Sequence, residues 1–249
     1  MSPVLDTNGI QLYFETHGDG EPLLFMHGGL GCGDNWRHVF PAPPDGYRLI
    51  APDHRGHGAS TNPTRAVTFR QVADDTLALL DHLKIDRVRA IGVSGGGIAL
   101  LHMATRQPSR IEAMVVVSAP PYFPAQARAI QAQFTEAMLP EAERAALRRR
   151  HTHGEDQIAA LFEAVKGFAT EYDDVSFTPP LLSTITARTL VVFGDRDFLY
   201  PVSLAFDLHA AIPRSHLWVI PNGGHGPVFG ADAPRFVETA MAFLRGEWK

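Results

Sequence analysis

The sequence is short of several things. It has a single cysteine, Cys32, so no intrachain disulfide can form and a reducing compartment suits it. It lacks a basic excess: 22 Lys and Arg stand against 27 Asp and Glu, for a net charge of −5. That balance argues against a nucleic-acid partner, which would favour a basic stripe; the one basic run, Arg148-Arg149-Arg150, reads as a solvated helix face. No run approaches the ~20 apolar residues of a membrane span, and the opening Met1-Ser2-Pro3-Val4 stretch has neither the basic nor the apolar region of a signal peptide. A soluble, cytoplasmic protein is expected. Neither a His-Glu-x-x-His nor a Cys-x-x-Cys spacing occurs, so no metal site is expected. Internal repeats and low-complexity tracts are missing as well.

What is present is an ordinary globular composition, 45% apolar and 20% charged over 249 residues, enough for one large domain or a core with an insertion. Short β-rich runs alternate with amphipathic helices. Residues 10–16 and 22–26 read as an opening hairpin turning at Gly18-Asp19-Gly20, and 47–51 as a short strand. Phe69, Val72, Ala73, Leu80 and Leu83 recur at helical spacing over 68–83, with Thr68 and Gln71 as a capping box. Strands follow at 87–93, 113–118, 189–193 and 216–220, with helices at 95–106 and from Pro201. Asp232 and Pro234 open a last helix and Gly246 closes it. Between residues 120 and 185 the rhythm changes. No strand is predicted there, and helices are expected near 125–138, 141–150 and 156–168. Strand–helix alternation implies a mostly parallel sheet covered on both faces, with ligands beyond the carboxyl ends of its strands. The helical insertion is placed to roof that edge.

Gly92-Val93-Ser94-Gly95-Gly96 carries the strongest chemical signal. A Gly-x-Ser-x-Gly between a strand and a helix is a nucleophile elbow, a tight turn that projects a serine hydroxyl above the sheet. A dinucleotide fingerprint fails here, because its second glycine would fall on Ser94. A serine hydroxyl needs a base, and the base needs a partner that fixes its tautomer. Downstream, Gly194-Asp195-Arg196-Asp197 and Gly223-Gly224-His225-Gly226 each follow a predicted strand. Ser94, Asp197 and His225 thus appear in the required order at three strand ends. Asp197 is preferred over Asp195, which directly follows Gly194 and suits a loop-bracing role. Of the 12 histidines, His225 alone lies in a glycine-rich loop after the last strand. His82, His102 and His209 fall in helices, and His151 and His153 read as exposed helix-end residues. Acyl transfer also needs donors for an oxyanion. The amide of Gly95 supplies one, and the loop His27-Gly28-Gly29-Leu30-Gly31 the other, with Gly29 first and Leu30 second in preference. Cys32, without an elbow of its own, reads as a bystander.

These segments, together with Asp53-His54-Arg55-Gly56-His57-Gly58-Ala59-Ser60, resemble the α/β-hydrolase fold family over about residues 10–244. The resemblance implies an eight-stranded, mostly parallel sheet, a core formed by 1–120 and 186–249, and a helical cap at 121–185. It implies that the 53–60 stretch is a structural loop beside the active site. Serine at the elbow is similar to esterases, lactonases, carbon–carbon bond hydrolases and perhydrolases, rather than to dehalogenases or epoxide hydrolases, which carry aspartate there. The pattern 177–180 through 222–225 is similar to the valacyclovir-hydrolase-like branch. Leu30, where proline iminopeptidases carry proline, argues against a peptidase. The expectation is a cofactor-free serine esterase for small-molecule esters, a monomer or homodimer, with a pocket shaped by Leu30, Phe123, Phe134, Phe162 and Phe198 and also by Phe168 and Tyr200. The alternatives are a lactonase, perhydrolase or carbon–carbon hydrolase with the same triad, or a non-catalytic small-molecule receptor.

Overall fold

A computed structural model describes residues 3–248; Met1, Ser2 and Lys249, which the expected core included, lie outside the described residues. The chain opens with β1 (Val4–Thr7), β2 (Ile10–His17), β3 (Glu21–Met26) and β4 (Tyr47–Pro52). It continues through α1 (Phe69–His82), β5 (Val88–Val93), α2 (Gly95–Arg106) and β6 (Ile111–Val117). Four helices follow: α3 (Ala125–Gln133), α4 (Glu141–Arg150), α5 (Glu155–Gly167) and the short α6 (Pro179–Leu182). Then come β7 (Arg188–Gly194), α7 (Ser203–Ala211), β8 (Ser215–Ile220) and α8 (Ala233–Arg245).

The eight strands form one sheet in the order β1-β2-β4-β3-β5-β6-β7-β8. β1 and β2 are antiparallel to their neighbours, and all pairs from β4 onward are parallel. This corrects the predicted opening hairpin. β2 and β3 never pair, because β4 lies between them and bonds to both. The true hairpin is β1–β2, turned by Asn8-Gly9 with both residues at positive φ (45° and 76°). That is the signature of the tight turn whose twist matches its strands.

Alternation along the strands splits the core into two layers. Leu24, Met26, Val88, Ala90, Met114, Val116, Val191 and Phe193 face α1, α2 and α7. Leu23, Phe25, Ile91, Val93, Val115, Val117, Leu190 and Val192 face α8 and Trp36. A period of two on a parallel strand puts successive side chains on opposite faces, and both faces are dry here. The helix starts read from sequence hold in part. Thr68 accepts from the Gln71 amide, but the Gln71 side chain meets the Thr68 hydroxyl and leaves its amide alone. Asp232 precedes α8 without making a capping bond, while Gly246 ends that helix in the left-handed conformation (φ 83°). Between β6 and β7 the regular elements are helices joined by loops, with no strand among the described residues apart from an isolated bridge between Tyr122 and Ser176. The expected 125–138 helix stops at Gln133, and a single 3-10 turn follows at Glu136–Met138. Among the described residues, no helix is long and apolar enough to cross a membrane.

Candidate active site

Ser94 sits between the end of β5 and the start of α2 with φ 52° and ψ −117°. A non-glycine residue held there costs ~1–3 kcal/mol, which the surrounding structure must supply. The Ser94 amide donates to the Val117 carbonyl at 2.7 Å, and its carbonyl accepts from Ile98 in the first turn of α2. The crossing is so close that a β-carbon at Gly96 would collide with the carbonyl oxygens of Met26 and His27. Glycine is therefore a steric requirement at that point of the elbow. The turn leaves the Ser94 hydroxyl free of any capping bond to α2.

The Ser94 hydroxyl lies 3.0 Å from His225 Nε2, and His225 Nδ1 lies 2.9 Å from Asp197 Oδ2. A carboxylate only accepts, so Nδ1 carries the imidazole proton and Nε2 offers its lone pair to the serine. Asp197 Oδ1 also accepts from the amides of Leu199 (2.9 Å) and Tyr200 (3.0 Å), so both carboxylate oxygens are hydrogen-bonded. Burial by itself would raise the Asp197 carboxyl; the bond and charge of His225 and these two amides outweigh it, and the group is held below its ordinary range. Asp195, the other candidate, is exposed. Close approach of the β7 and β8 loops brings His225 over Asp197: a β-carbon on Gly194 would strike the Gly223 carbonyl. Tyr200 meets the His225 ring edge-on at 5.3 Å and packs it in place.

Gly29 and Gly95 both line the same cavity as Ser94. Gly95 is the first residue of α2, so its amide has no intrahelical acceptor. The loop carrying Gly29 closes with the Gly31 amide on the Gly28 carbonyl at 3.1 Å. A β-carbon on Gly28 would sit 3.4 Å from that of Ser94, so this turn abuts the serine.

The cavity above Ser94 measures ≈ 800 Å³. Leu30, Phe123, Phe134, Phe198, Phe168 and Tyr200 line it. Phe162 does not. It lies one layer back, 5.5 Å from the Phe134 ring, in a small cluster with Leu147 and Ile158. Phe123, Phe134, Leu147, Leu161 and Phe168 all come from the segment between β6 and β7, so that segment supplies much of the cavity's apolar lining. Phe198 is 59% exposed and stands edge-on to His225 at 6.0 Å, at the mouth.

Sequence reasoning missed a histidine nest. His27 and His54 stack at 3.8 Å, His57 lies 5.1 Å from His27, and His151 lies 6.0 Å from His57. The expectation that His151 is an exposed helix end is overturned: it is buried, Nδ1 accepts from the Gly58 amide at 2.9 Å, and Nε2 faces the Leu30 carbonyl at 3.2 Å. Nothing in its local sequence separates it from its exposed neighbour His153. The ring is held by the Gly58 amide of the 53–60 loop. Burial pushes the His57 and His151 imidazoles down to about 4, and His27 and His54 well below the ordinary range. All four are thus neutral at pH 7. Among the described residues, no group of three or more His, Cys, Asp or Glu side chains is arranged to hold a metal ion, this nest included.

The 53–60 loop is braced internally. Asp53 accepts from the amides of Gly33 (2.6 Å) and Ala59 (2.7 Å), and Arg55 grips Asp75 through two bonds of 2.8 and 2.9 Å. Burial raises the Cys32 thiol to about 11, so it stays a thiol.

The sequence profile of the alpha/beta hydrolase fold family matches residues 21–168, more than half the chain. Over 263 aligned residues, 95% of this chain and 91% of the relative, the sequence is 30% identical to a 2-hydroxymuconate semialdehyde hydrolase of Pseudomonas sp.. It is 29% identical to serine hydrolase BPHL of Homo sapiens, over 88% of this chain and 78% of that one. Among solved structures, a meta-cleavage product hydrolase, CumD, superposes with a TM-score of 0.80 over 98% of each chain at 20% identity, a likeness of fold alone. Sheet order, elbow and relatives agree: the chain belongs to the alpha/beta hydrolase fold family.

Proposed function

We propose that this hydrolase cleaves small carboxylic esters with Ser94 as nucleophile, His225 as general base and Asp197 as the orienting acid. The carrying observation is the unbroken chain of hydrogen bonds from Ser94 Oγ through His225 to Asp197. His225 Nε2 takes the hydroxyl proton as Ser94 Oγ attacks the ester carbonyl carbon. The amides of Gly29 and Gly95 donate to the oxyanion that develops. The imidazolium, stabilised by Asp197, returns its proton to the departing alcohol. Water, deprotonated by His225, then releases the acid and restores the serine. No metal or organic cofactor takes part in this scheme.

Residues 121–185 act as a cap over a core of 1–120 and 186–249. The rings of Phe69, Phe123 and Phe168, with centroids 5.0–6.3 Å apart, form an aromatic wall suited to an apolar acyl or alkoxy group. A cavity of ≈ 800 Å³ favours small substrates over polymers. The enzyme works in the cytoplasm as a monomer or homodimer.

One observation favours a second reading with the same triad. The 30% identity to a 2-hydroxymuconate semialdehyde hydrolase extends over nearly the whole chain and supports carbon–carbon bond hydrolysis of such a compound. Turnover of a p-nitrophenyl ester series, set beside turnover of 2-hydroxymuconate semialdehyde, separates the two. Ser94→Ala is expected to lose ~10⁶ in kcat, the scale seen when one member of a triad is removed. A folded Ser94→Ala variant with near-normal turnover refutes both readings.

A further inference from the structure

Leu30 occupies an uncomfortable place. It is the third residue of the 28–31 turn and takes φ 58°, a conformation such turns reserve for glycine or asparagine. For a residue with a side chain this costs about 1–2 kcal/mol. Something must hold it, and the holding groups come from the segment between β6 and β7. The Leu30 carbonyl accepts from Arg150 Nη1 at 2.7 Å and faces His151 Nε2 at 3.2 Å. Gly58 donates its amide to His151 Nδ1, so that nitrogen carries no proton; Nε2 therefore carries it and donates to Leu30. The Leu30 side chain packs against Leu147, Ile158 and Phe162, the small apolar cluster of the same segment. Leu30 is thus anchored at both its carbonyl and its side chain.

The His151 ring also ties two core loops together, since Gly58 belongs to the 53–60 loop and Leu30 to the 28–31 turn. The register of this bridge is fixed on either side. Thr152 donates its amide to the Gly58 carbonyl at 3.1 Å, and Gln157 Nε2 lies 3.0 Å from both the Gly56 and Gly58 carbonyls.

We propose that Arg150 and His151 are positioning residues: by clamping the Leu30 carbonyl they hold the strained 28–31 turn, and with it the Gly29 amide, in place against Ser94. The inference rests on the reading of Ser94 as nucleophile and Gly29 as oxyanion donor. Its consequence is that the helical segment shapes the substrate cavity and also sets the geometry of the donor that meets the transition state. A donor displaced by a fraction of an ångström loses transition-state stabilisation while leaving ground-state binding nearly intact, so the effect falls on kcat.

The test compares His151→Leu, Arg150→Met and His151→Gln with the full-length wild type on p-nitrophenyl acetate. Alongside turnover, the rate of inactivation by a p-nitrophenyl alkylphosphonate is followed, because its serine adduct places an oxygen in the oxyanion site. His151→Leu and Arg150→Met are expected to lower kcat about 10- to 100-fold, below the ~10²–10³ seen for outright loss of a donor, with KM changed less than about threefold. Phosphonylation should slow in parallel. His151→Gln keeps one acceptor and one donor and should recover to within about threefold of wild type. The proposal is overturned if the folded His151→Leu protein keeps kcat within about twofold, or if KM absorbs the loss. Should His151→Leu not fold, Arg150→Met on the same carbonyl is read by the same criteria. An inactive Ser94→Ala beside a fully active Arg150→Met would sink the clamp alone; an active Ser94→Ala would sink the serine reading beneath it.

Discussion

Replacing His151 by glutamine should remove a measurable part of the protein's acid sensitivity. His151 is buried with Nδ1 bound to the Gly58 amide, and protonation there would break that bond. Burial, which comes first, and the neighbouring Arg150 charge depress its imidazole to about 4, although its bond to Leu30 works the other way. His57 lies 6.0 Å from its ring, and the Arg150 charge is itself paired with Glu143 at 3.5 Å. In the unfolded chain a histidine titrates near ~6.5. The depressed native value means that the unfolded state binds more protons between those limits. Stability from this group is therefore complete above ~6.5 and is lost as pH falls from there toward 4. Moving from pH ~7.5 to ~5 costs about 2 kcal/mol for one such histidine. Against a typical total of ~5–15 kcal/mol this is visible in a urea titration. Asp53 and Asp75, whose carboxyls burial raises, pull the other way, so the absolute pH dependence mixes signs. Subtracting the variant from the wild type cancels them. The measurement is urea unfolding of both proteins at the two pH values. Wild type should lose ~2 kcal/mol more than His151→Gln on acidification. Equal losses, within ~0.5 kcal/mol, would refute a neutral, buried His151.

Two further outcomes are expected. Asp197→Asn should keep the fold but lower kcat by ~10⁴, because an amide can donate to His225 Nδ1 and select the wrong tautomer; pre-steady-state kinetics on an activated ester would show it, and a loss below tenfold would remove Asp197 as the orienting acid. Arg55→Met should destabilise by ~3–5 kcal/mol, since it strands the buried Asp75 carboxylate without its two-bond partner. Thermal unfolding would report this, and a shift below ~1 kcal/mol would mean that Asn8, which also bonds Asp75, suffices.

Much of the site was legible because its chemistry is written in local geometry. A Gly-x-Ser-x-Gly after a β run needs only the neighbouring residues to make its turn, and Ser94, Asp197 and His225 each lie just beyond a strand that a short apolar pattern announces. Strand pairing was less legible. Residues 10–17 and 21–26 are adjacent in sequence, yet β4 wedges between them because the pairing that completes the sheet is not decided by proximity along the chain. The Asn8-Gly9 turn that does make a hairpin was in plain view, and a strand of four residues, β1, was too short to register beside it. His151 and Phe162 show the other limit. His151 shares its local sequence with His153, which is exposed, and no local pattern distinguishes Phe162, which only supports the cavity, from Phe134, which lines it.

By itself, then, the sequence determined most of the strands and helices, the elbow and the order of the three candidate triad side chains, since these depend on contacts within a few residues or on the period of a strand. Only the tertiary structure decided which loop closes over which: the stacking of His27 on His54, the grip of Arg55 on Asp75, and the bridge from His151 to Leu30 across 121 positions of chain. Those contacts join segments whose meeting is set by the packing of the whole sheet and its helices, and no local pattern encodes which partner a buried polar group will find.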